Sequence, residues 1–129
     1  MTRISLAALA VALGATHAVA EPVTGVWKTE PDRKNLTSHI KIVECGDKVC
    51  GIIKDAFNAA GQKVMTPNVG KKLFWNLTST GTGEYVDGTV WVPLMDIEAR
   101  ARMTLSGDTL DVTGCKGLIC DGQTWTRVN

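Results

Sequence analysis

Apolar and polar residues alternate along several stretches of the chain, most regularly between Ile97 and Leu105. In that stretch every second residue is apolar, and charged or hydroxyl-bearing residues stand between them. A period of two puts the two sets on opposite faces of a β-strand. Weaker alternation of the same period occurs in residues 40–42, 73–78, 90–92 and 109–113. We therefore predict short strands, each with one apolar and one solvated face.

Turn-forming sequences separate these stretches at close intervals. They are residues 58–61, Gly81-Thr82-Gly83, Asp87-Gly88, Ser106-Gly107-Asp108 and Asp121-Gly122. Gly, Asn and Asp readily adopt the backbone conformations of tight turns. Short strands spaced by about eight to twelve residues are typical of β-sandwiches and β-barrels. The pattern predicts an all-β fold, with one helical turn as the only helical candidate, in residues 66–71.

The N-terminal segment has the pattern of a secretory signal peptide. Arg3 is basic, residues 4–15 are apolar or small, and Ala18-Val19-Ala20 matches a small-x-small cleavage site. The apolar run is too short to span a bilayer, and no second run follows it. We expect cleavage after residues 1–20. A single domain of residues 21–129, without a transmembrane segment, would then remain in the periplasm or outside the cell.

The charges of that domain balance. The chain has 14 Lys and Arg against 13 Asp and Glu, and Arg3 is the only charged residue before Glu21. Lys71-Lys72 is the longest basic run. Because nucleic-acid-binding domains normally carry a basic excess or stripe, the composition argues against a nucleic-acid partner. A balanced charge permits association without requiring it, and we expect a monomer.

The four cysteines form two pairs with equal spacing, Cys45 with Cys50 and Cys115 with Cys120. Residues that face each other in an antiparallel ladder have Cα atoms about 4.5 to 5.5 Å apart, a range that suits a disulfide. Each pair could therefore close one β-hairpin, which is the favoured pairing in an oxidising compartment. Bridges between the two hairpins remain open. A zinc site of all four cysteines is a further alternative, although zinc ribbons usually have tighter spacing.

The two ends of the domain predict closure of a barrel. Gly25-Val26-Trp27 lies near the start, and Arg127 lies near the end. This arrangement resembles the closure of lipocalin-type barrels. When a sheet closes on itself its first and last strands become neighbours, so Arg127 could stack on the Trp27 indole. We predict a small antiparallel up-and-down β-barrel of about eight short strands.

A closer resemblance is to a bacterial exported family known as domain of unknown function 2147. The matching segments follow in order as Gly25–Thr29, Val49–Gly51, Val69–Leu73, Asp87–Trp91, Leu105–Leu110, Gly114–Cys115, Gly117–Cys120 and Gln123–Val128. The resemblance implies a lipocalin-like barrel in the periplasm or outside the cell, and it implies no defined activity. The chain departs from the family after Trp91, where Leu94 and Met95 replace a polar turn.

No catalytic or metal-binding motif is present in the sequence. His39 is the only histidine after residue 20, and no nearby residues complete a triad motif. Asp96 and Glu98 have the spacing of a carboxylate pair, but a solvated strand face beside Arg100 and Arg102 is the simpler interpretation. We therefore expect neither an enzyme nor a cofactor or metal site.

The apolar face suggests a place for a ligand. Small residues that point into a barrel leave room, and adaptable side chains can line it. The residues predicted to line an interior cavity are Leu73, Trp75, Val90, Val92, Ala99, Ala101 and Met103. A completely filled interior is the alternative.

Leu94 and Met95 form an apolar pair in a predicted turn, where they could border the barrel mouth or contact a partner. We expect a non-enzymatic exported barrel that binds a small apolar or amphipathic ligand. The alternative is an interaction module of the cell envelope with a filled core.

Overall fold

A computed structural model describes residues 20–129. The predicted signal segment therefore lies outside the described residues, except for Ala20. The described chain forms nine strands: β1 Gly25–Lys28, β2 Thr37–Cys45, β3 Lys48–Phe57, β4 Lys63–Val64, β5 Lys72–Ser79, β6 Glu84–Val92, β7 Ile97–Ser106, β8 Thr109–Lys116 and β9 Ile119–Arg127.

Eight of these strands make a closed antiparallel barrel. The hydrogen-bonded order is β2-β1-β9-β8-β7-β6-β5-β3, and β2 also pairs with β3. Each barrel strand pairs with the next barrel strand in sequence, with β3 pairing with β5, and β1 pairs with β9 to close the sheet. The barrel is therefore of the up-and-down type. The prediction of a small up-and-down β-barrel is confirmed.

The short strand β4 pairs only with the end of β3 and lies outside the closed circuit. No helix occurs among residues 20–129. Residues 66–71 form hydrogen-bonded turns instead of the helical turn considered from the sequence. The Val69 amide donates to the Thr66 carbonyl at 3.3 Å, and the Lys71 amide donates to the Asn68 carbonyl at 3.1 Å.

The two ends of the barrel differ. The turns after β2, β5 and β7 lie at one end, here called the closed end, and the connections after β1, β3, β6 and β8 lie at the other, here called the open end. The segment Glu21–Thr24 precedes β1 and therefore lies at the closed end. Its Val23 side chain is fully buried in the core, and the Val23 carbonyl accepts a hydrogen bond from Trp27 Nε1 at 2.9 Å. The closed end is thus sealed by apolar packing.

The barrel closes over a short ladder between its first and last strands. Trp27 pairs with Arg127, and Lys28 pairs with Thr126. The Arg127 guanidinium carbon lies 4.4 Å from the centroid of the Trp27 ring, which is the stacking that the closure pattern predicts. A side-chain contact therefore reinforces the edge where the ladder is shortest.

Gly25 explains how the C-terminus can approach the first strand. Its φ is 132°, and a Cβ at this position would overlap the Asn129 carbonyl oxygen. That carbonyl accepts a hydrogen bond from the Val26 amide at 2.8 Å. Only glycine combines this backbone conformation with the close approach, so the glycine of the Gly-x-Trp sequence contributes directly to closure.

The interior next to the closed end is filled by side chains. Phe74 packs directly on Gly51, where a Cβ would overlap the ring. The buried core residues are Val23, Trp27, Ile40, Ile42, Val49, Ile53, Phe74, Leu77, Tyr85, Ala101, Met103, Leu110, Val112 and Trp125. Close packing of this set provides the main stabilisation of the fold.

Strand β5 departs from regular alternation, and the prediction for Trp75 is wrong. The fully buried residues of β5 are Phe74 and Leu77, which are three positions apart. Asn76 between them has a φ of 61°, so the backbone interrupts the period of two. Trp75 consequently lies on the outer surface instead of the interior.

Both cysteine pairs form local disulfides. Cys45 is bonded to Cys50 with a Cα separation of 5.9 Å, and Cys115 is bonded to Cys120 at 4.1 Å. Cys115 and Cys120 face each other directly in the ladder, whereas the first bridge is diagonal because Cys45 pairs with Lys48. The favoured local pairing is confirmed, and neither bridges between hairpins nor a four-cysteine zinc site forms.

Candidate functional site

A cavity of about 290 Å³ opens at the end of the barrel opposite the Glu21–Thr24 segment. Its walls come from the inner faces of β6, β7, β8 and β9, together with the start of β5 and the turn between β6 and β7. Trp125 lies at the inner limit of this space, where its ring is 6.1 Å from the ring of Phe74. The cavity is therefore a pocket with one opening rather than a channel through the barrel.

Four of the residues predicted as ligand-binding line this cavity, and three do not. The lining residues are Leu73, Val90, Val92 and Ala99. Trp75 is excluded because it lies on the outer surface. Ala101 and Met103 do face inward, but they are buried in the filled core and do not border the open space. Ala101 and Met103 lie deeper in the barrel than Ala99, because they are farther from the open end on the same strand.

Small side chains on facing strands create the space. Ala99 pairs with Val90, and Gly114 lies on the neighbouring strand β8. A Cβ added to Gly114 would be 3.1 Å from Val90 Cγ1 and 3.7 Å from Ala99 Cβ. These three positions leave little side-chain volume in the middle of the wall. Larger groups here would convert the cavity into core.

Several lining residues were missed from the sequence. Trp125 and Val112 form part of the apolar inner surface, and Ile97 and Pro93 lie nearer the opening. The alternation of Leu110 and Val112 along β8 indicates an inner strand face but does not by itself indicate a cavity. Trp125 alternates with Gln123 and could have been assigned to an inner face by the same period of two.

The cavity has a polar side near its opening. Lys116, Asp121 and Gln123 belong to the hairpin of β8 and β9 and contribute to the wall. The Gln123 Oε1 atom accepts a hydrogen bond from Trp125 Nε1 at 2.8 Å, while Lys116 Nζ donates to the Glu98 carbonyl at 3.3 Å. The cavity therefore has an apolar inner part and, nearer its opening, a charged wall on the β8–β9 side.

Exposed apolar side chains lie in two of the turns at the open end. Leu118 and Ile119 in the β8–β9 hairpin are 103% and 79% exposed, and Leu94 and Met95 in the β6–β7 turn are 48% and 63% exposed. Met95 and Ile119 also line the cavity, whereas Leu94 does not. We call Leu94, Met95, Leu118 and Ile119 the apolar rim. Exposed apolar patches on a protein surface are typical of binding sites.

A second groove, which shares Trp91 with the cavity, lies on the outer wall between β5, β6 and β7. Trp75 and Trp91 line it with Lys71, Lys72, Asp96 and Glu98. Trp91 Nε1 donates to Asp96 Oδ1 at 2.9 Å, and Lys71 Nζ lies 5.3 Å from the centroid of the Trp91 ring. The Asp96 side chain is thus a hydrogen-bond acceptor for an outer tryptophan. The groove thus combines two half-buried tryptophan rings with two lysines and two carboxylates.

His39 lies on β2 away from the cavity. Its ring is 4.5 Å from the ring of Phe57, and it pairs across the ladder with Asp55. Burial lowers the pKa of His39, while the Asp55 carboxylate opposes that shift. No hydrogen bond joins His39 to a nucleophile within the described residues.

No group of three or more His, Cys, Asp or Glu side chains in residues 20–129 is arranged to hold a metal ion. Within the same range, no helix has the length and apolar character needed to cross a membrane.

The closed eight-stranded barrel, whose first and last strands pair beside the Trp27–Arg127 stack, has a lipocalin-like fold. The sequence profile of a family described as uncharacterized protein conserved in bacteria (DUF2147) matches residues 25–127, and the chain belongs to that family. Protein HP1028 from the human pathogen Helicobacter pylori, which is described as belonging to the lipocalin family, has a similar structure. The TM-score is 0.65 at 17% identity, covering 86% of this chain and 85% of that chain. A comparison with curated proteins gave no match.

Proposed function

We propose that this protein binds a small amphipathic molecule in the open-end cavity, without catalysing a reaction, and acts as a monomer in the periplasm or outside the cell. The observation that carries the proposal is the polarity along the cavity axis. Trp125 and Val112 offer an apolar surface at the inner end, and Lys116, Asp121 and Gln123 offer charge and hydrogen bonds near the opening.

The size of the cavity limits the ligand. Sites for small molecules usually have volumes of roughly 300 to 1,000 Å³, so a cavity of about 290 Å³ suits a compact ligand or one end of a longer chain. The apolar part would lie against Trp125, and the polar part would remain near Lys116. Burial of an apolar group contributes about 25 cal/mol per Å².

Filling the cavity tests the proposal. Ala99→Trp would fill part of the cavity, whereas Arg102→Trp adds the same ring to the outer face of the same strand. The probe is anilinonaphthalene sulfonate, an amphipathic aromatic anion that fluoresces when it leaves water. We expect the first variant to lose saturable probe binding and the second to retain it. Unchanged binding by a folded Ala99→Trp protein would refute the cavity as the site.

Should Ala99→Trp prevent folding, Val92→Trp provides a second test. Val92 lines the cavity closer to its opening and is only partly buried, so a larger ring there disturbs less of the core. Native mass spectrometry of protein purified from its own host would then identify a bound molecule by its additional mass.

A second candidate function is docking to a protein of the cell envelope. The observation that favours it is the apolar rim, whose four large side chains are more exposed than apolar side chains of a packed core. Leu94→Ser with Met95→Ser should reduce the affinity for a purified partner first identified by cross-linking in the envelope. Ala99→Trp should leave that affinity unchanged. If Ala99→Trp lowered the affinity and the double serine variant did not, the apolar rim would be assigned to ligand entry.

A further inference from the structure

Glu21 begins a segment that is tightly built into the barrel. The Glu21 carbonyl accepts hydrogen bonds from the Thr24 amide at 3.0 Å and from Thr24 Oγ1 at 2.7 Å. Its Oε2 atom accepts a hydrogen bond from the Tyr85 hydroxyl at 2.9 Å. Two residues further along, Val23 is fully buried. The side chain and the carbonyl of Glu21 thus both have partners in the folded domain.

The third polar group of Glu21 is its backbone nitrogen, which lies 2.8 Å from Glu44 Oε1. Glu44 is exposed and lies near the end of β2, at the closed end of the barrel. A backbone amide would make an ordinary hydrogen bond to this carboxylate. A free α-ammonium would instead make a charge-assisted bond, which is roughly twice as strong.

The position of this nitrogen coincides with a feature of the sequence. Ala18-Val19-Ala20 matches a small-x-small cleavage site directly before Glu21. Ala20 is exposed, and the backbone nitrogen of Glu21 already bonds to the domain. A new N-terminus at this bond would lie beside a carboxylate without any change of backbone.

We propose that proteolytic removal of residues 1–20 creates an α-ammonium on Glu21 that forms an ion pair with Glu44 and fastens the closed end of the barrel. An endopeptidase hydrolyses the Ala20–Glu21 bond with one water molecule. The hydroxyl of the water joins the Ala20 carbonyl carbon, and a hydrogen joins the Glu21 nitrogen. At neutral pH the new carboxylic acid loses its proton and the amine gains one.

The first test locates the new N-terminus. The full chain is exported to the periplasm of a Gram-negative host, purified, and analysed by intact mass and N-terminal sequencing. We expect a chain that starts at Glu21 and is four hydrogens lighter than its reduced form. A start at another residue, or an uncleaved chain, would overturn the proposal.

The second test separates the charge from the hydrogen bond. Chains that begin at Glu21 and at Ala18 are made by removing a fusion partner, and each is combined with Glu44→Gln. Both starts retain the Glu21 nitrogen, but the longer chain carries its ammonium up to about 10 Å away. We expect Glu44→Gln to lower the Tm by about 2 to 4 °C more in the chain beginning at Glu21. Equal shifts would overturn the ion pair.

Two controls belong to this cycle. Glu98→Gln changes an exposed glutamate on the outer wall near the open end and should shift both chains equally. About 1 M salt should remove most of the extra shift caused by Glu44→Gln, because exposed ion pairs are screened. An extra shift that persists at high salt would indicate a steric effect and would contradict the proposal.

Discussion

The guanidinium of Arg127 both stacks on the Trp27 indole and fastens the segment that precedes the first strand. Arg127 Nη1 donates to the Thr24 carbonyl at 3.0 Å, and Nη2 donates to the Pro22 carbonyl at 2.8 Å. Its ion pair with the exposed Asp108, at 3.4 Å, contributes little in water. One side chain of the last strand therefore holds two parts of the N-terminal region together.

Replacing Arg127 should lower the stability of the fold, because the stack on Trp27 and the hydrogen bonds to Pro22 and Thr24 are lost. Lysine keeps the charge but lacks the planar fork that makes both hydrogen bonds and the stack. We expect Arg127→Lys to lower the free energy of unfolding by about 1 to 2 kcal/mol and Arg127→Ala to lower it by about 2 to 4 kcal/mol. Urea unfolding followed by circular dichroism provides the measurement. Arg102→Ala, an exposed control, should change stability by less than about 0.5 kcal/mol.

Alkaline pH should destabilise the protein through Tyr85. Burial and the hydrogen bond to Glu21 raise the pKa of Tyr85 to about 12, against an ordinary value of 10.0. The folded state therefore favours the neutral phenol. Its contribution is fully present below pH about 10 and is lost as the pH rises towards 12, which amounts to about 2 to 3 kcal/mol by linkage.

Tyr85 is the only tyrosine of the chain, so its ionisation can be followed directly by ultraviolet absorbance. The difference in stability between the wild type and Tyr85→Phe should narrow across that pH range. Glu21→Gln should move the phenol pKa back towards its ordinary value, because it removes a negative charge next to the hydroxyl. Ionisation of folded wild-type protein at pH 10 would contradict the expected shift.

The polar side of the cavity should select the charge of the ligand. Lys116→Gln is expected to weaken binding of anilinonaphthalene sulfonate by about five- to tenfold, or roughly 1 kcal/mol. Binding of the neutral probe phenylnaphthylamine should change little. Lys41→Gln, an exposed site on β2, serves as the matched control. Equal weakening of both probes by Lys116→Gln would show that its charge does not contact the ligand.

The two disulfides should have different effects on binding. Replacing Cys115 and Cys120 by serine removes a bridge from the hairpin that forms one wall of the cavity, whereas Cys45 and Cys50 lie at the closed end. Both pairs of substitutions should lower stability by about 2 kcal/mol or more. Probe titration should show weaker binding only for the pair at the cavity. A loss of affinity in both proteins would assign it to general loosening of the barrel.

Local patterns predicted much of the fold. The alternation from Ile97 to Leu105 reappears as β7, with Ala101 and Met103 buried and Arg102 exposed. The equal spacing of the cysteines predicted two clipped hairpins, because a short loop can connect only neighbouring strands. These features depend on residues that are close in sequence.

The candidate site was predicted only in part because it depends on interruptions of the local pattern. Trp75 follows a period of two in the sequence, but Asn76 with its positive φ turns the tryptophan outward. Gly114 lacks an apolar side chain and therefore gives no periodic signal, although its absent Cβ leaves space beside Val90. Neither effect can be derived from hydrophobicity along a single strand.

By itself the sequence determined the all-β class, the hairpins and the pairing of Trp27 with Arg127. The first two features follow from alternation and turn residues that lie close together in the sequence. The pairing of Trp27 with Arg127 follows because the two ends of the chain meet where the barrel closes. Only the tertiary structure decided that the interior is filled at one end and open at the other. The reason is physical: empty volume depends on how side chains from β5 to β9 meet, and each strand alone carries only its own contribution to that volume.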